Sequence, residues 1–166
     1  MKAGARQAGE EPSVMAYTTA QARQQLLDSV AEATEKLASA LASLGEAYER
    51  LDEHAAERLE QELFLPVQKA YGRAQQSHAA FADRHGLPRR VFRPGAPGAP
   101  SRDARALIDS AVEAAGVADH VLATLQDSML PVEVGDADLR AGLQEVRRLL
   151  GDLRGRAREL VRTLGR

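Results

Sequence analysis

A ladder of residues at alternating spacings of three and four opens the helical part of this chain: Leu27, Val30, Thr34, Leu37, Leu41, Leu44, Tyr48, Leu51 and Ala55. That period puts every rung on one stripe of an α-helix, the seam by which one helix lies along another. A seam must be covered, by another part of the chain or by another chain, so the ladder constrains the fold before anything else does. Gly45 interrupts its composition but not its phase, and a helix continuing through Gly45 costs about 1 kcal/mol relative to alanine. The competing reading is a turn there, because Ser43 and Glu46 form the Ser-x-x-Glu pattern of a capping box.

After Ala55 the rhythm changes. Leu59, Leu63 and Val67 step by four, then Ala70, Ala74, Ser77 and Phe81 resume threes and fours, a local stutter. Pro66 falls inside it. A proline in a helix interior deletes a hydrogen bond and kinks the rod, or it opens a new helix after a tight turn. The first helical segment therefore reads as residues 18–85, capped by Thr18 or Thr19, kinked or broken near Pro66 and ended at His85-Gly86. Residues 1–17 read as a disordered polar tail. Residues 86–102, with prolines at 88, 94, 97 and 100 and glycines at 86, 95 and 98, read as a linker.

Asp103 or Ser101 caps the next helix, whose seam is Ile108, Ala111, Ala115, Ala118, Leu122, Leu125 and Met129. After Leu130-Pro131, Asp136 caps a last helix with the ladder Leu139, Leu143, Val146, Leu150, Leu153, Ala157, Leu160 and Leu164. The spacing predicts one helix over 137–164, about 42 Å long at 1.5 Å per residue. These two helices of matched length form an antiparallel hairpin over 103–166. An unbroken 18–85 segment would reach roughly 100 Å, more than the hairpin covers. Either it folds back near Gly45 or Pro66, giving a four-helix bundle, or it stays extended and a second copy covers the rest. The fold class expected is all-α: an elongated helical bundle or coiled coil of three to four helices in one domain.

Composition agrees. Aromatic residues make up 4% of the 166 and tryptophan is absent, so strand-forming residues are scarce and the core is alanine and leucine. With no cysteine, disulfides, cysteine nucleophiles and thiolate metal sites are excluded. No apolar run approaches the roughly 18 residues of a membrane span, and residues 1–15 lack the apolar stretch of a secretory signal. An intracellular, soluble protein is the expectation. The net charge of −2 conceals blocks: net −6 over residues 18–65, +6 over 66–102, −5 over 103–135 and +3 over 136–166. Such alternation places oppositely charged helices side by side, or offers a basic face to an acidic partner.

No group of residues reads as a catalytic centre. The histidines His54, His78, His85 and His120 include no Glu-x-x-His or His-x-x-x-His pair, so the spacing of a carboxylate-bridged diiron bundle is missing. The acids Glu46, Glu49, Asp52, Glu53, Glu57 and Glu60 fall mostly at solvent positions of the seam, away from the desolvating pocket that paired-carboxylate chemistry requires. No phosphate-binding glycine loop is present. Catalytic, cofactor and metal residues are therefore all expected to be none. The arginines Arg147, Arg148, Arg154, Arg156, Arg158 and Arg162 spread around the last helix, and pairing with the acidic first helix is the simplest account of them.

The block Phe64-Leu65-Pro66-Val67-Gln68-Lys69 is similar to a mid-helix proline block in BAR domains, the banana-shaped membrane-curving dimers. The chain departs from that family in length and in lacking its dense lysine/arginine concave face, and no functional residue is carried over. The residues themselves point to a non-enzymatic interaction or scaffold subunit of a coiled-coil assembly, a homodimer or part of a multi-subunit adaptor or tether. Its seam would be Leu37, Leu41, Leu44, Tyr48, Leu51, Leu143, Val146, Leu150, Leu153 and Leu160. Further partner contacts would come from Arg89, Arg90, Phe92 and Arg93 in the linker and from Met129, Leu130, Val132 and Val134 in the apolar loop before the last helix. The alternative is a peripheral membrane- or phosphate-binding module using the basic 84–93 segment. Its aromatics are too few for a nucleic-acid stacking platform.

Overall fold

A computed structural model describes residues 11–97, 103–134 and 136–164. These are almost entirely helical, with no strand among them. Helix α1 spans Glu11–Glu49, α2 Glu53–Leu59 and α3 Leu65–Arg84, with a π-helical turn over Glu60–Phe64 joining the last two. Then come α4 (Ala104–Asp127), the single turn α5 (Leu130–Glu133), α6 (Ala137–Leu150) and α7 (Leu153–Leu164). They make four rods: α1; α2 with the π turn and α3; α4; and α6 with α7. The expected disorder of residues 1–10 lies outside the described residues, whereas α1 begins at Glu11, ahead of Thr18 and Thr19.

The chain reverses at residues 50–52, at neither Gly45 nor Pro66. The Arg50 N–H donates to the Ala47 carbonyl at 3.1 Å and the Leu51 N–H to Tyr48 at 3.3 Å, tightening the last turn of α1. Asp52 then caps α2, its carboxylate accepting from the Ala55 N–H at 2.8 Å, with Glu53 in the first turn where the helix dipole favours an acid. The 18–85 segment thus folds back on itself. Its α1 packs most extensively against α4 and next against α3, while α3 packs on α6, and the last rod lies diagonally across from α1.

One core of buried leucine, alanine and valine fills the bundle. On α1 its regular repeat is Leu26, Val30, Ala33, Leu37, Ala40, Leu44 and Ala47, each no more than 1% exposed. That stripe shares Val30, Leu37 and Leu44 with the ladder read from the sequence but is centred one residue earlier. Leu27 and Thr34 are also buried, Leu41 and Leu51 are half-buried, and Tyr48 is 42% exposed. The alanines allow close approach to α4, whose Ala111, Ala115 and Ala118 are equally buried. Where α6 meets α3 the contact is also close: a Cβ on the buried Gly142 would overlap the Ser77 hydroxyl.

Two rods carry breaks, and the breaks face each other. The π turn takes in an extra residue, so Leu59, Leu63 and Val67, stepping by four, all stay on the core side at 0% exposure. Pro66 has no N–H to offer the Glu62 carbonyl four residues back. The last rod is not the single helix predicted over 137–164: it stops at Gly151, and Asp152 takes a left-handed φ of 59° before α7 starts. Arg156 serves both sites, donating to the Glu62 carbonyl at 3.1 Å and to the Gly151 carbonyl at 2.8 Å.

At the other end Asp136 ties the second rod to the fourth. Its carboxylate caps α6 through the Leu139 N–H at 2.8 Å, accepts two bonds from Arg84 at 2.7 and 3.0 Å, and lies 3.0 Å from His85 Nε2. Burial alone would raise the Asp136 carboxyl, but the Leu139 N–H, His85 and Arg84 outweigh it and hold it below the usual carboxylate range.

Two outcomes follow from these contacts. Arg156→Ala should cost about 1–3 kcal/mol of unfolding free energy in urea titration, and less in a Pro66→Ala background, where residue 66 regains its N–H; an equal cost in both backgrounds would contradict the carbonyl link. Asp136→Asn keeps a capping oxygen but loses the charge, at a cost of about 1.5–3 kcal/mol at neutral pH. Because the folded carboxyl is depressed, its stabilisation is complete above the unfolded value of about 3.9 and is lost as pH falls through the folded value. Thermal unfolding midpoints of wild type and Asp136→Asn should therefore converge in acid, and a constant gap from neutral pH down to strong acid would refute this.

Candidate functional site

The residues proposed as an oligomer seam are mostly inside this chain. Leu37, Leu44, Leu143, Val146, Leu150, Leu153 and Leu160 are buried in the bundle core. Only Tyr48 among them is exposed.

The linker is not free in solvent over its described part. Gly86, at φ 65°, ends α3, and the Leu87 N–H returns to the Ala82 carbonyl at 2.8 Å. The chain then climbs α1 as a strap. Arg89 pairs with Asp83, Arg90 pairs with Glu35, and the Ser39 hydroxyl donates to the Ala96 carbonyl at 3.2 Å. Gly95 sits directly on the α1 backbone: a Cβ there would lie 2.6 Å from Ala38 C and from Ser39 N. Phe92 meets the His78 ring edge-on, with centroids 5.1 Å apart, and Arg90 lies over the outer ring at 5.8 Å. His78 is 2% exposed and its Nδ1 is buried without a hydrogen-bond partner. Burial, then the Arg90 charge, pushes the His78 imidazole down, against a smaller upward pull from Asp28. Of the basic segment 84–93, Arg84, Arg89 and Arg90 are thus engaged by carboxylates of the same chain, while Arg93 is exposed.

The apolar loop divides. Pro131 is buried and Leu130 and Val134 pack partly against the core, while Met129 (53%) and Val132 (45%) face solvent. Met129, read as the last rung of the α4 seam, instead takes a left-handed φ of 64° that turns the chain toward α5.

One open side of the bundle lies between α4 and α7. These helices touch far less than α1 and α4 do, and a groove of about 660 Å³ opens between them. Its α4 wall carries Arg105, Asp109, Val112 and Glu113; its α7 wall carries Arg154, Ala157, Arg158, Val161 and Arg162. Both sets follow spacings of three and four, so each wall is one stripe of a helix. Arg162 pairs with Glu159 at 3.3 Å in an exposed contact. Among the described residues, the side chains of Arg105, Arg154, Arg158, Asp109 and Glu113 have no ion-pair or hydrogen-bond partner. The last rod's other arginines are occupied elsewhere: Arg147 on Asp119 and Gln126, Arg148 on Glu145, and Arg156 on the two carbonyls. None of these pairs with α1, which lies across the diagonal.

The groove is absent from the sequence reading, although one signal was there. Arg154, Arg158 and Arg162 step by four and share a stripe with Val161 flanking it. No group of three or more His, Cys, Asp or Glu among the described residues is placed to hold a metal ion, and no described helix is long and apolar enough to cross a membrane. Comparison with protein-family models, curated proteins and solved structures finds no match for the chain.

Gly95→Ala should lift the strap from α1. The expected result is faster amide exchange over residues 86–97 and a His78 imidazole that titrates closer to its ordinary value of about 6.5 in an NMR titration. An unchanged His78 titration would contradict the strap as the cover of that ring.

Proposed function

We propose that this chain is a non-enzymatic helical interaction module, a scaffold subunit that binds a protein partner through the groove between α4 and α7. One observation carries the reading: unpartnered charges of both signs line an open groove together with the apolar Val112, Ala157 and Val161. Arginines held along one wall raise the local positive potential and draw an oppositely charged surface to it. Val112, Ala157 and Val161 then supply apolar area that gains from being covered. The leucine ladder supports this indirectly. Because the chain covers it with its own helices, the bundle is preformed, and a partner has only to seat on it rather than complete it. On this reading the α1/α4 pair is a short antiparallel coiled coil that serves as rigid backing, and the π turn before Pro66 is a bend that leaves α7 free to line the groove.

The reading is tested with the chain in its own cells. A tagged wild-type chain should elute in native size exclusion well above its own 17.9 kDa, and the double variant Arg154→Glu/Arg158→Glu should shift to the mass of the lone chain. That variant changes exposed residues and should leave the thermal midpoint within a few degrees of wild type. A wild-type chain that elutes alone, or a stable variant that stays in the large complex, would overturn the reading.

A further inference from the structure

Resting on that reading, we infer that the occupant of the groove is a charge-polarised amphipathic helix of a partner protein, with acidic residues along the flank that faces α7. The groove walls are two antiparallel helices with too little between them, the place where a fifth rod fits a bundle. No strand edge is present among the described residues, so an extended peptide has no backbone ladder to join. The walls run from residue 105 to 113 and from 154 to 162, about 12 Å or two helical turns at 1.5 Å per residue. Two turns of a docked helix present apolar side chains at i, i+3 or i+4 and i+7, and Val112 and Val161 lie between the charges to receive them.

The charges select the helix further. The α7 wall is basic through Arg154 and Arg158, whereas the α4 wall carries the carboxylates of Asp109 and Glu113, with a single arginine, Arg105, at its start. A uniformly acidic ligand, such as a phosphate chain or an anionic lipid surface, would set negative charge against Asp109 and Glu113. A helix with Glu or Asp on one flank and Lys or Arg on the other satisfies both walls. Reversing such a helix in the groove exchanges its flanks, so the two walls also fix the direction in which it lies. Guanidinium–carboxylate pairs covered by a docked helix beside Val112, Ala157 and Val161 are better shielded from salt than the exposed pairs elsewhere on this bundle.

The test uses synthetic 18-residue helical peptides and the full chain. Each carries leucines at i, i+3/i+4 and i+7. One has glutamates on one flank and lysines on the other, one has lysines on both flanks, and one has glutamates on both. Fluorescence anisotropy should show the polarised peptide binding at least about tenfold more tightly than the all-lysine peptide, with affinity falling as salt rises. Arg154→Glu/Arg158→Glu should reverse that order, so that the all-lysine peptide becomes the tighter ligand. Tighter binding of the all-glutamate peptide than of the polarised one, or equal binding of a single-stranded DNA oligomer or of phosphatidylserine vesicles, would overturn the inference in favour of a general anion surface. A concentration-dependent two-chain mass that reverts to one chain in the double variant would overturn it in favour of a second copy. If no peptide binds while the groove variant still leaves its cellular complex, the interaction reading stands and the helical occupant is wrong.

Discussion

The rest of this bundle is arranged around the packing of α1 against α4, the most extensive contact between any two of its helices, in a core rich in buried alanine. Ala33, Ala40 and Ala47 on one helix and Ala111, Ala115 and Ala118 on the other are almost wholly buried. Small side chains let packed helices approach one another closely. With α1 committed on that side to α4, its flank is left for α3, and the reversal at residues 50–52 delivers α3 there. The last rod then has one place to go, beside α3 and diagonal to α1.

That order has a topological consequence. The second rod ends beside Asp136, at the end of the bundle away from the 50–52 turn, while α4 begins beside the C-terminal end of α7, near Arg58 and Thr163. The segment that follows α3 therefore has to run along α1, and over residues 86–97 it does so past Glu35, Ala38 and Ser39. Proline and glycine suit that path, since an extended chain lying on a helix needs neither a ladder of hydrogen bonds nor, at Gly95, a side chain. Phe92 and Leu87 anchor it, and two ion pairs hold its arginines. The cost of the arrangement shows on the α4/α7 side, where the helices meet sparingly and the groove remains.

Much of the fold was legible in the residues. Period and composition give the all-helical class, and the caps at Asp103 and Asp136 are where the pattern puts them. What failed has specific causes. Large side chains dominate the ladder read from the sequence, which runs through Leu41 and Tyr48 where Ala40 and Ala47 are the fully buried positions. The reversal at 50–52 carries no glycine or proline; its signal was Asp52 as a cap, outweighed by the more conspicuous Gly45 and Pro66. The break at Gly151-Asp152 was hidden because Leu150 and Leu153 keep the three-residue spacing across it. Proline and glycine mark 86–102 as a linker but not where it lies, because sequence spacing says nothing about a segment held by Glu35 and Ser39, more than fifty residues away. The groove was the least legible, since it exists only through how far apart two helices lie. Arg154 and Arg158 become notable once their neighbours Arg147, Arg148 and Arg156 are seen to be occupied.

The central claim is that one chain covers its own heptad ladder. Light scattering coupled to size exclusion, with small-angle scattering on the same peak of the isolated protein, tests it most directly. The account predicts a single-chain mass of 17.9 kDa and the dimensions of a folded-back four-rod bundle. A two-chain particle approaching the roughly 100 Å of an unreversed first segment would contradict it, because the ladder would then be a seam between chains.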